Sequence, residues 1–236
     1  MDIKIPYTPR KHQAFLHKKI DNHRWNVLVC HRRFGKTVCM INHLIRSALL
    51  SKLKNPRFAY IAPTFKQAKS IAWDYMKQFT AKIPHTKFNE TELRVDLPNG
   101  SRITLLGSES PDGLRGIYLD GCVIDEYANV NSKLFPEIIR PALSDRKGYC
   151  VFIGTPMGMN NNFYELYQHA QGAEDWFNYK AKASDTNIVD PDELVKAKEV
   201  MGEKKYNQEF ECDWIANIEG AVYGDVIGKL DDDKQL

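Results

Sequence analysis

The chain has 236 residues, a length that suits one large domain or a domain with a small appendage. Its 33 basic and 30 acidic residues leave a net charge of +3, so charge alone does not indicate a nucleic-acid-binding protein. No apolar run approaches the ~18 residues that span a bilayer, and the N-terminal stretch lacks the apolar segment of a signal peptide. The five scattered cysteines form no C-x-x-C pair, which argues against a zinc site or a disulfide framework and favours a reducing cytoplasm.

Short apolar runs alternate with longer amphipathic stretches along the chain. Strands are predicted over residues 25–30, 58–63, 121–128, 148–156 and 176–184, and helices over residues 36–51 and 65–82. Alternating apolar residues on both sides of Pro98-Asn99-Gly100 predict a hairpin within residues 93–107. Because apolar strands that alternate with helices form parallel sheets covered on both faces, we predict an α/β fold.

The character of the sequence changes after about residue 183. The following stretch is polar and helical, with Asp190 as the predicted helix cap and Pro191 in the first turn. We therefore expect a core over residues 1–183, a small helical lid over residues 184–216, and a linker over residues 217–236.

The segment CHRRFGKT, residues 30–37, resembles a phosphate-binding loop, G-x-x-x-x-G-K-[ST], with Cys30 in place of the first glycine. It lies between a predicted strand and a predicted helix, where main-chain N–H groups and the helix dipole form an anion site. Gly35 lets the backbone approach phosphates, Lys36 can reach the β- and γ-phosphates, and the Thr37 hydroxyl can bind Mg²⁺. This context predicts a nucleotide site rather than a chance Gly-Lys-Thr.

A carboxylate pair supplies the second half of such a site. Asp125 and Glu126 follow the apolar run Cys122-Val123-Ile124, at the carboxyl end of a predicted strand. Ligand sites in open α/β sheets lie at that edge. Asp125 would hold Mg²⁺ through water, and Glu126 would deprotonate the attacking water as the general base. The two motifs together predict hydrolysis of a nucleoside triphosphate.

Two arginines lie inside the loop. A guanidinium there can contact the γ-phosphate and stabilise the charge of the transition state, and either Arg32 or Arg33 could supply it. The other interpretation is that one of them, Arg33 above all, pairs with a carboxylate. The candidate nucleotide-binding residues of the loop are Arg32, Arg33, Phe34, Gly35, Lys36 and Thr37.

With these motifs the sequence resembles the ATPase domain of the tailed-bacteriophage large terminase, the motor that packages DNA into procapsids. CHRRFGKT is similar to that family's deviant Walker A motif, and CVIDEYA to its Walker B motif with the catalytic glutamate. Further similar segments are YIAPTFKQAK (60–69), SPDGLRGIYLDGCVIDE (110–126), GTPMGMNNNFYELY (154–167) and YNQEFECDW (206–214). The resemblance covers nearly the whole chain. It implies a P-loop NTPase fold of the ASCE/RecA-like type, with a mostly parallel central sheet flanked by helices and a small C-terminal helical lid.

The resemblance also implies roles for single residues. Arg32 would be an arginine finger acting in cis, and Arg115 an arginine acting in trans on the ATP of a neighbouring subunit. Thr155 would couple hydrolysis to movement, and Gln13 matches the adenine-side glutamine of helicase-like motors. The simpler alternatives are a turn residue for Arg115, a strand end for Thr155 and an ordinary amphipathic helix around Gln13. The catalytic residues would then be Glu126, Arg32, Arg115 and Lys36, with ATP and Mg²⁺ as cofactors and Thr37 and Asp125 as metal ligands.

The partners implied by the resemblance are double-stranded DNA, other copies of the chain in a pentameric ring on the portal, the portal protein and the small terminase subunit, in the host cytoplasm and without a membrane. DNA binding by this part alone is expected to be weak and non-specific. The nuclease domain of large terminases carries a second α/β pattern with clustered carboxylates. No such pattern follows the sequence EGAVYGDVI, so nuclease activity is not expected.

Two other functions compete with a packaging motor. One is the ATPase lobe of a superfamily 2-like helicase or translocase, which shares the IAPT segment and the Asp-Glu pair but needs a second lobe. The other is a nucleotide-binding regulatory module that does not hydrolyse its ligand, for which Glu126 would be superfluous.

Overall fold

The computed structural model describes residues 5–215, with the main chain only at Asp112. Within this range eight strands form one sheet: β1 Trp25–Cys30, β2 Arg57–Ala62, β3 Lys87–Asn89, β4 Arg94–Asp96, β5 Arg102–Gly107, β6 Gly121–Ile124, β7 Tyr149–Gly154 and β8 Trp176–Ala181. Their order is β3-β4-β5-β2-β6-β7-β1-β8. The strands from β5 to β8 in this order are all parallel, and the pairs β3–β4 and β4–β5 are antiparallel. The prediction of an α/β fold with a mostly parallel sheet is confirmed.

Helices connect the strands. In the described part of the chain they are α1 Lys11–Asn22, α2 Lys36–Leu50, α3 Phe65–Gln67, α4 Asp74–Thr80, α5 Arg140–Ala142, α6 Asn162–Ala170, α7 Ala183–Thr186, α8 Pro191–Met201 and α9 Glu203–Phe210. A π-helical segment, Ala68–Trp73, joins α3 to α4, and a second one, Phe135–Ile139, leads into α5. The helix predicted over residues 65–82 is therefore present, with wider turns in its middle.

Apolar side chains cover both faces of the sheet, as the parallel topology requires. One cluster lies under α1, α2 and the helical stretch 65–80, and includes Leu44, Tyr60 and Trp73. The other lies under the segment 127–143 and α6, and includes Phe152 and Phe163. The central strands β1, β6 and β7 are buried along their whole lengths except at Tyr149. This burial makes the strand ends, where the chain leaves the core, rigid positions for a site.

Several predicted elements differ from the structure. The strands expected over residues 148–156 and 176–184 end at Gly154 and Ala181, and α7 begins at Ala183. The strand expected over residues 121–128 ends at Ile124, because Glu126 has a left-handed backbone (φ 45°) that no strand can continue through. The predicted hairpin is confirmed, with Asp96 opposite Arg102, but its first strand pairs on its other edge with the unpredicted strand β3. β3 has only three residues, of which Lys87 and Phe88 are exposed, so the segment lacks the run of buried apolar residues that predicts a strand.

The predicted start of the C-terminal helical stretch is confirmed. The Asp190 side chain accepts a hydrogen bond from the Asp192 N–H (2.9 Å) at the N-terminus of α8, and Pro191 is the first helical residue. Residues 216–236, which include the predicted linker, lie outside the described residues. All five cysteines are free and buried. Between residues 5 and 215, no helix combines the length and apolarity needed to cross a membrane.

Candidate active site

Three adjacent strands bring the predicted site residues to one edge of the sheet. The loop 30–37 leaves the carboxyl end of β1, Thr155 follows β7, and the Asp125-Glu126 pair follows β6. β7 lies between β1 and β6, and all three run parallel. The sheet therefore places the phosphate-loop residues and the carboxylates on the same side of the molecule, with one strand between them.

The loop has the backbone of a phosphate-binding loop. Gly35 stands immediately before α2 with a left-handed φ of 87°, and Arg33 also has a positive φ of 72°. The Lys36 ammonium lies across the loop and donates to the carbonyl oxygens of Cys30 (2.9 Å) and His31 (3.4 Å). The Lys36 charge is thus held against the loop beside the N-terminus of α2, where the helix dipole also favours an anion.

Side chains beneath the loop hold it in place. Gln13, which is 4% exposed, donates from Nε2 to the Gly35 carbonyl (3.3 Å) and accepts the Arg10 N–H on Oε1 (2.9 Å). Gln13 therefore ties α1 to the loop and has its amide directed at main-chain atoms. Phe34 is 1% exposed and packs edge-on against the rings of His12 and His31, so only its main chain can face a phosphate.

His31 is a loop residue that the sequence did not single out. It is fully buried, and its Nδ1 donates to the Arg32 carbonyl (2.6 Å) while its Nε2 lies 2.8 Å from the Thr186 hydroxyl. Burial lowers the pKa of His31, so the ring is neutral and Nε2 accepts the Thr186 proton. The loop is thereby anchored to the start of the C-terminal helical part.

The carboxylate pair is shielded from water and crowded. Asp125 is 5% exposed, its Oδ1 accepts the Glu126 N–H (2.9 Å), and its Oδ2 accepts the hydroxyl proton of Tyr60. Burial and the neighbouring Asp125 charge together raise the pKa of Glu126 to about 7, while the positive charge of Lys36 opposes this rise. A carboxyl group with a pKa near neutrality can accept a proton from water and release it again, as a general base must.

A Mg²⁺ ion would suit the oxygen atoms gathered here. The Tyr60 hydroxyl donates to the Asp125 carboxylate and lies near the Thr37 side chain, which places two hard oxygen ligands in the same region. Residues 5–215 contain no group of three or more His, Cys, Asp and Glu side chains that could hold a metal alone. This donor set fits an ion that completes its shell with phosphate oxygens and water, as Mg²⁺ does.

Helix α9 closes over the loop through residues that the sequence analysis did not predict. The Arg32 N–H donates to the Glu209 carbonyl (2.8 Å), and the Arg32 guanidinium lies 3.8 Å from the Glu209 carboxylate. Glu209 also pairs with Lys205 at 3.1 Å. Gln208 is 2% exposed and donates to the Pro156 carbonyl (2.7 Å), next to Thr155. The C-terminal helices thus contact both the phosphate loop and the segment after β7.

The remaining predicted residues lie at different distances from this edge. Thr155 is 9% exposed and lies directly at the end of β7, between the two motifs. Arg33 is exposed on the loop. Arg115 lies in the connection between β5 and β6 and pairs with Glu137 at 3.9 Å, with both side chains about half exposed (59% and 49%). Arg115 therefore lies on the protein surface and not in the cluster of Lys36, Thr37 and Asp125.

An added strand between the strand before the phosphate loop and the strand before the Asp125-Glu126 pair is the arrangement of a P-loop NTPase fold of the ASCE class. Residues 29–224 match the family described as "Terminase large subunit, T4likevirus-type, N-terminal", and the chain belongs to this family.

Relatives and solved structures agree with this assignment. The chain is 30% identical over 126 residues to the large terminase subunits of Thermus phage G20c and Thermus virus P23-45, an alignment that covers 45% of this chain and 26% of each relative. The chain thus matches about a quarter of the length of these relatives. Its fold is similar to the large terminase ATPase domain of Thermus phage P74-26 (TM-score 0.75, 21% identity, 89% of this chain and 96% of that one). It is also similar to the large terminase of another thermophilic bacteriophage in complex with ADP (TM-score 0.75, 16% identity, 87% and 53%).

Proposed function

We propose that this domain binds ATP with Mg²⁺ and hydrolyses it, and that in the whole protein this turnover moves double-stranded DNA into a procapsid. The observation that carries the proposal is the meeting of Lys36 and Thr37 with Asp125 and Glu126 at the carboxyl edge of β1, β7 and β6. Structures of one thermophilic bacteriophage's large terminase with ADP and with ATP-γ-S support nucleotide binding in this fold.

Each residue would contribute through its charge or its proton affinity. Lys36 would exchange the Cys30 carbonyl for the β- and γ-phosphate oxygens, and Thr37 and Asp125 would hold Mg²⁺. Bound Mg²⁺ neutralises charge that develops on the phosphates. Glu126 would take a proton from the water whose oxygen attacks the γ-phosphorus, and ADP would leave on the opposite side.

Two arginines complete the proposal. Arg32 would leave Glu209 and turn to the γ-phosphate in cis, since a 3.8 Å ion pair with a largely exposed guanidinium (62%) is easily exchanged for a phosphate. Arg115 would act in trans on the ATP of a neighbouring copy, for which its half-exposed guanidinium is accessible at the protein surface. Hydrolysis would then depend on assembly into a ring.

Further roles follow from positions near the site. Thr155, between the two motifs, would couple hydrolysis to movement, and Gln208 would pass the change on to α9 through Pro156. Gln13 would contribute to the adenine side while it keeps the loop in place. From the change in sequence character after about residue 183, we also propose a core over residues 1–183, a lid over residues 184–216 and a linker over residues 217–236. The partners would be weakly and non-specifically bound DNA, other copies of the chain, a portal protein and a small terminase subunit in the host cytoplasm.

The first test is ATP hydrolysis as a function of protein concentration for the wild type, Glu126→Gln and Arg115→Ala. We expect activity per chain to rise with concentration, to be abolished by Glu126→Gln, and to become independent of concentration in Arg115→Ala. Turnover that survives Glu126→Gln would overturn the assignment of the general base. Flat turnover per chain that Arg115→Ala leaves unchanged would show that the cis arginine suffices.

A second test separates a packaging motor from a helicase lobe or a non-hydrolysing module. We expect DNA binding by this domain to weaken steeply as salt is raised from about 50 to about 200 mM, to be independent of sequence, and to favour duplex over single strands. Preferred binding to single strands would favour the helicase alternative, and nucleotide binding without any turnover would favour the regulatory one.

A further inference from the structure

Tyr60 is a buried tyrosine whose hydroxyl reaches the metal side of the site. It lies in β2 opposite Val123 of β6, and its side chain is 0% exposed within the apolar layer under α2. Its hydroxyl donates a hydrogen bond to Oδ2 of Asp125, and the Thr37 side chain lies near enough to interact with it. A phenylalanine would fill the same apolar space, so the hydroxyl is explained by these two partners and not by packing.

The direction of these interactions follows from the groups involved. An ionised carboxylate only accepts, so the single proton of the Tyr60 hydroxyl goes to Asp125. Toward Thr37 the Tyr60 oxygen can then only accept, which favours a Thr37 hydroxyl proton directed at Tyr60 and Thr37 lone pairs left for a cation. Asp125 keeps Oδ1 against the Glu126 N–H. Tyr60 therefore lies where it can orient both proposed metal ligands.

We propose that Tyr60 is a positioning residue of the magnesium site, which it serves by fixing the Thr37 hydroxyl and the Asp125 carboxylate in the geometry that the ion needs. The inference rests on the proposed function, since it assigns Tyr60 to the same nucleotide site. Tyr60 would touch neither nucleotide nor ion. If the Tyr60 hydroxyl is removed, the buried Asp125 carboxylate loses a charge-assisted hydrogen bond, and the Thr37 hydroxyl can rotate more freely.

The matched pair of variants is Tyr60→Phe and Tyr149→Phe. Tyr149 lies in β7, and its hydroxyl donates to Ser47 (3.1 Å), away from the carboxylates. Binding of a fluorescent ADP analogue is measured in EDTA and across a Mg²⁺ titration. We expect Tyr60→Phe to raise the Mg²⁺ concentration for half-maximal enhancement of binding by about ten-fold, with affinity in EDTA changed less than about two-fold. Tyr149→Phe should match the wild type in both measurements.

Several outcomes would overturn the proposal, and they differ from a failure of the proposed function. An unchanged Mg²⁺ midpoint in Tyr60→Phe, or equal weakening in EDTA and Mg²⁺, would give Tyr60 a structural role only and leave the ATPase proposal standing. Absence of nucleotide binding by the wild type would remove both.

A measurement on the unmodified sequence covers the case in which Tyr60→Phe does not fold. With ¹³C-labelled tyrosine at position 60 alone, adding Mg²⁺ to the ADP-bound protein should shift the Tyr60 Cζ resonance, whereas label at position 149 should not respond. No shift at position 60 would contradict the proposal.

Discussion

Glu126→Gln should make the nucleotide-free protein more stable than the wild type, by an amount that grows as pH rises from 4.5 to about 7 and stays constant above that. The fold raises the pKa of Glu126 from 4.5 to about 7 through burial and the charge of Asp125. Between these values the folded protein holds a proton that the unfolded chain has released, so stability falls as pH rises through this window. Glutamine carries no such cost, because it stays neutral.

The size of the effect follows from the same shift. Each pKa unit corresponds to about 1.4 kcal/mol, so a rise from 4.5 to about 7 sets an upper limit of about 3 kcal/mol. Glu126 is not completely shielded from water, and we expect about 2 kcal/mol at pH 8. At pH 5 only the first part of this window has been crossed, so the advantage of the variant should fall below about 1 kcal/mol.

Urea unfolding in EDTA at pH 5 and pH 8 measures this difference directly. The control is Glu199→Gln on the exposed surface of α8, which should change stability by less than about 0.5 kcal/mol at either pH. The reasoning would be refuted if Glu126→Gln were no more stable than the wild type at pH 8, or if its advantage were the same at pH 5. A variant that is more stable but inactive would show that Glu126 is needed for hydrolysis although it lowers the stability of the fold.

Three further predictions concern the same site. Because a general base must be deprotonated, kcat/KM for ATP should rise between pH 6 and 8 with a midpoint near 7, and a flat profile would contradict the role of Glu126. Gly35→Ala should lower the free energy of unfolding by about 1–2 kcal/mol, because φ is 87° at this position and the added Cβ would lie 3.0 Å from Nε2 of Gln13. Urea unfolding measures the change, and the control is Gly172→Ala, whose added Cβ would meet no atom within 4 Å. Lys36→Met should keep the wild-type circular dichroism spectrum but weaken ADP binding by at least about ten-fold in a fluorescence titration, and wild-type affinity would show that Lys36 does not face the phosphates.

The residues that could be predicted from the sequence are those whose signal is local. Lys36 and Thr37 stand out because a glycine, a strand and a helix flank them within a few positions, and Asp125 and Glu126 because an apolar run ends there. The sheet could be predicted for the same reason, since each central strand is a separate buried run.

The supporting residues could not be found in this way. Tyr60 contacts Asp125 across 65 positions of sequence, and Gln208 reaches Pro156 across 52. Tyr60 in an apolar strand and Gln208 in a polar helix are ordinary in their own surroundings. Their roles arise only when strand order and helix packing bring distant segments together, and a single sequence contains no signal for such pairs. His31 is hidden for a related reason, because its partner Thr186 belongs to a different part of the chain.

The contact between the Arg32 N–H and the Glu209 carbonyl joins two peptide groups and involves no side chain. Substitution of alanine at either position leaves this link between the phosphate loop and α9 in place, so an alanine scan would underestimate how strongly the two move together. The link also tolerates sequence drift, because almost any residue carries the same two atoms. Proline is the exception, since it lacks the N–H. Arg32→Pro should therefore uncouple the two segments more completely than Arg32→Ala combined with Glu209→Ala, as hydrogen exchange along α9 would report.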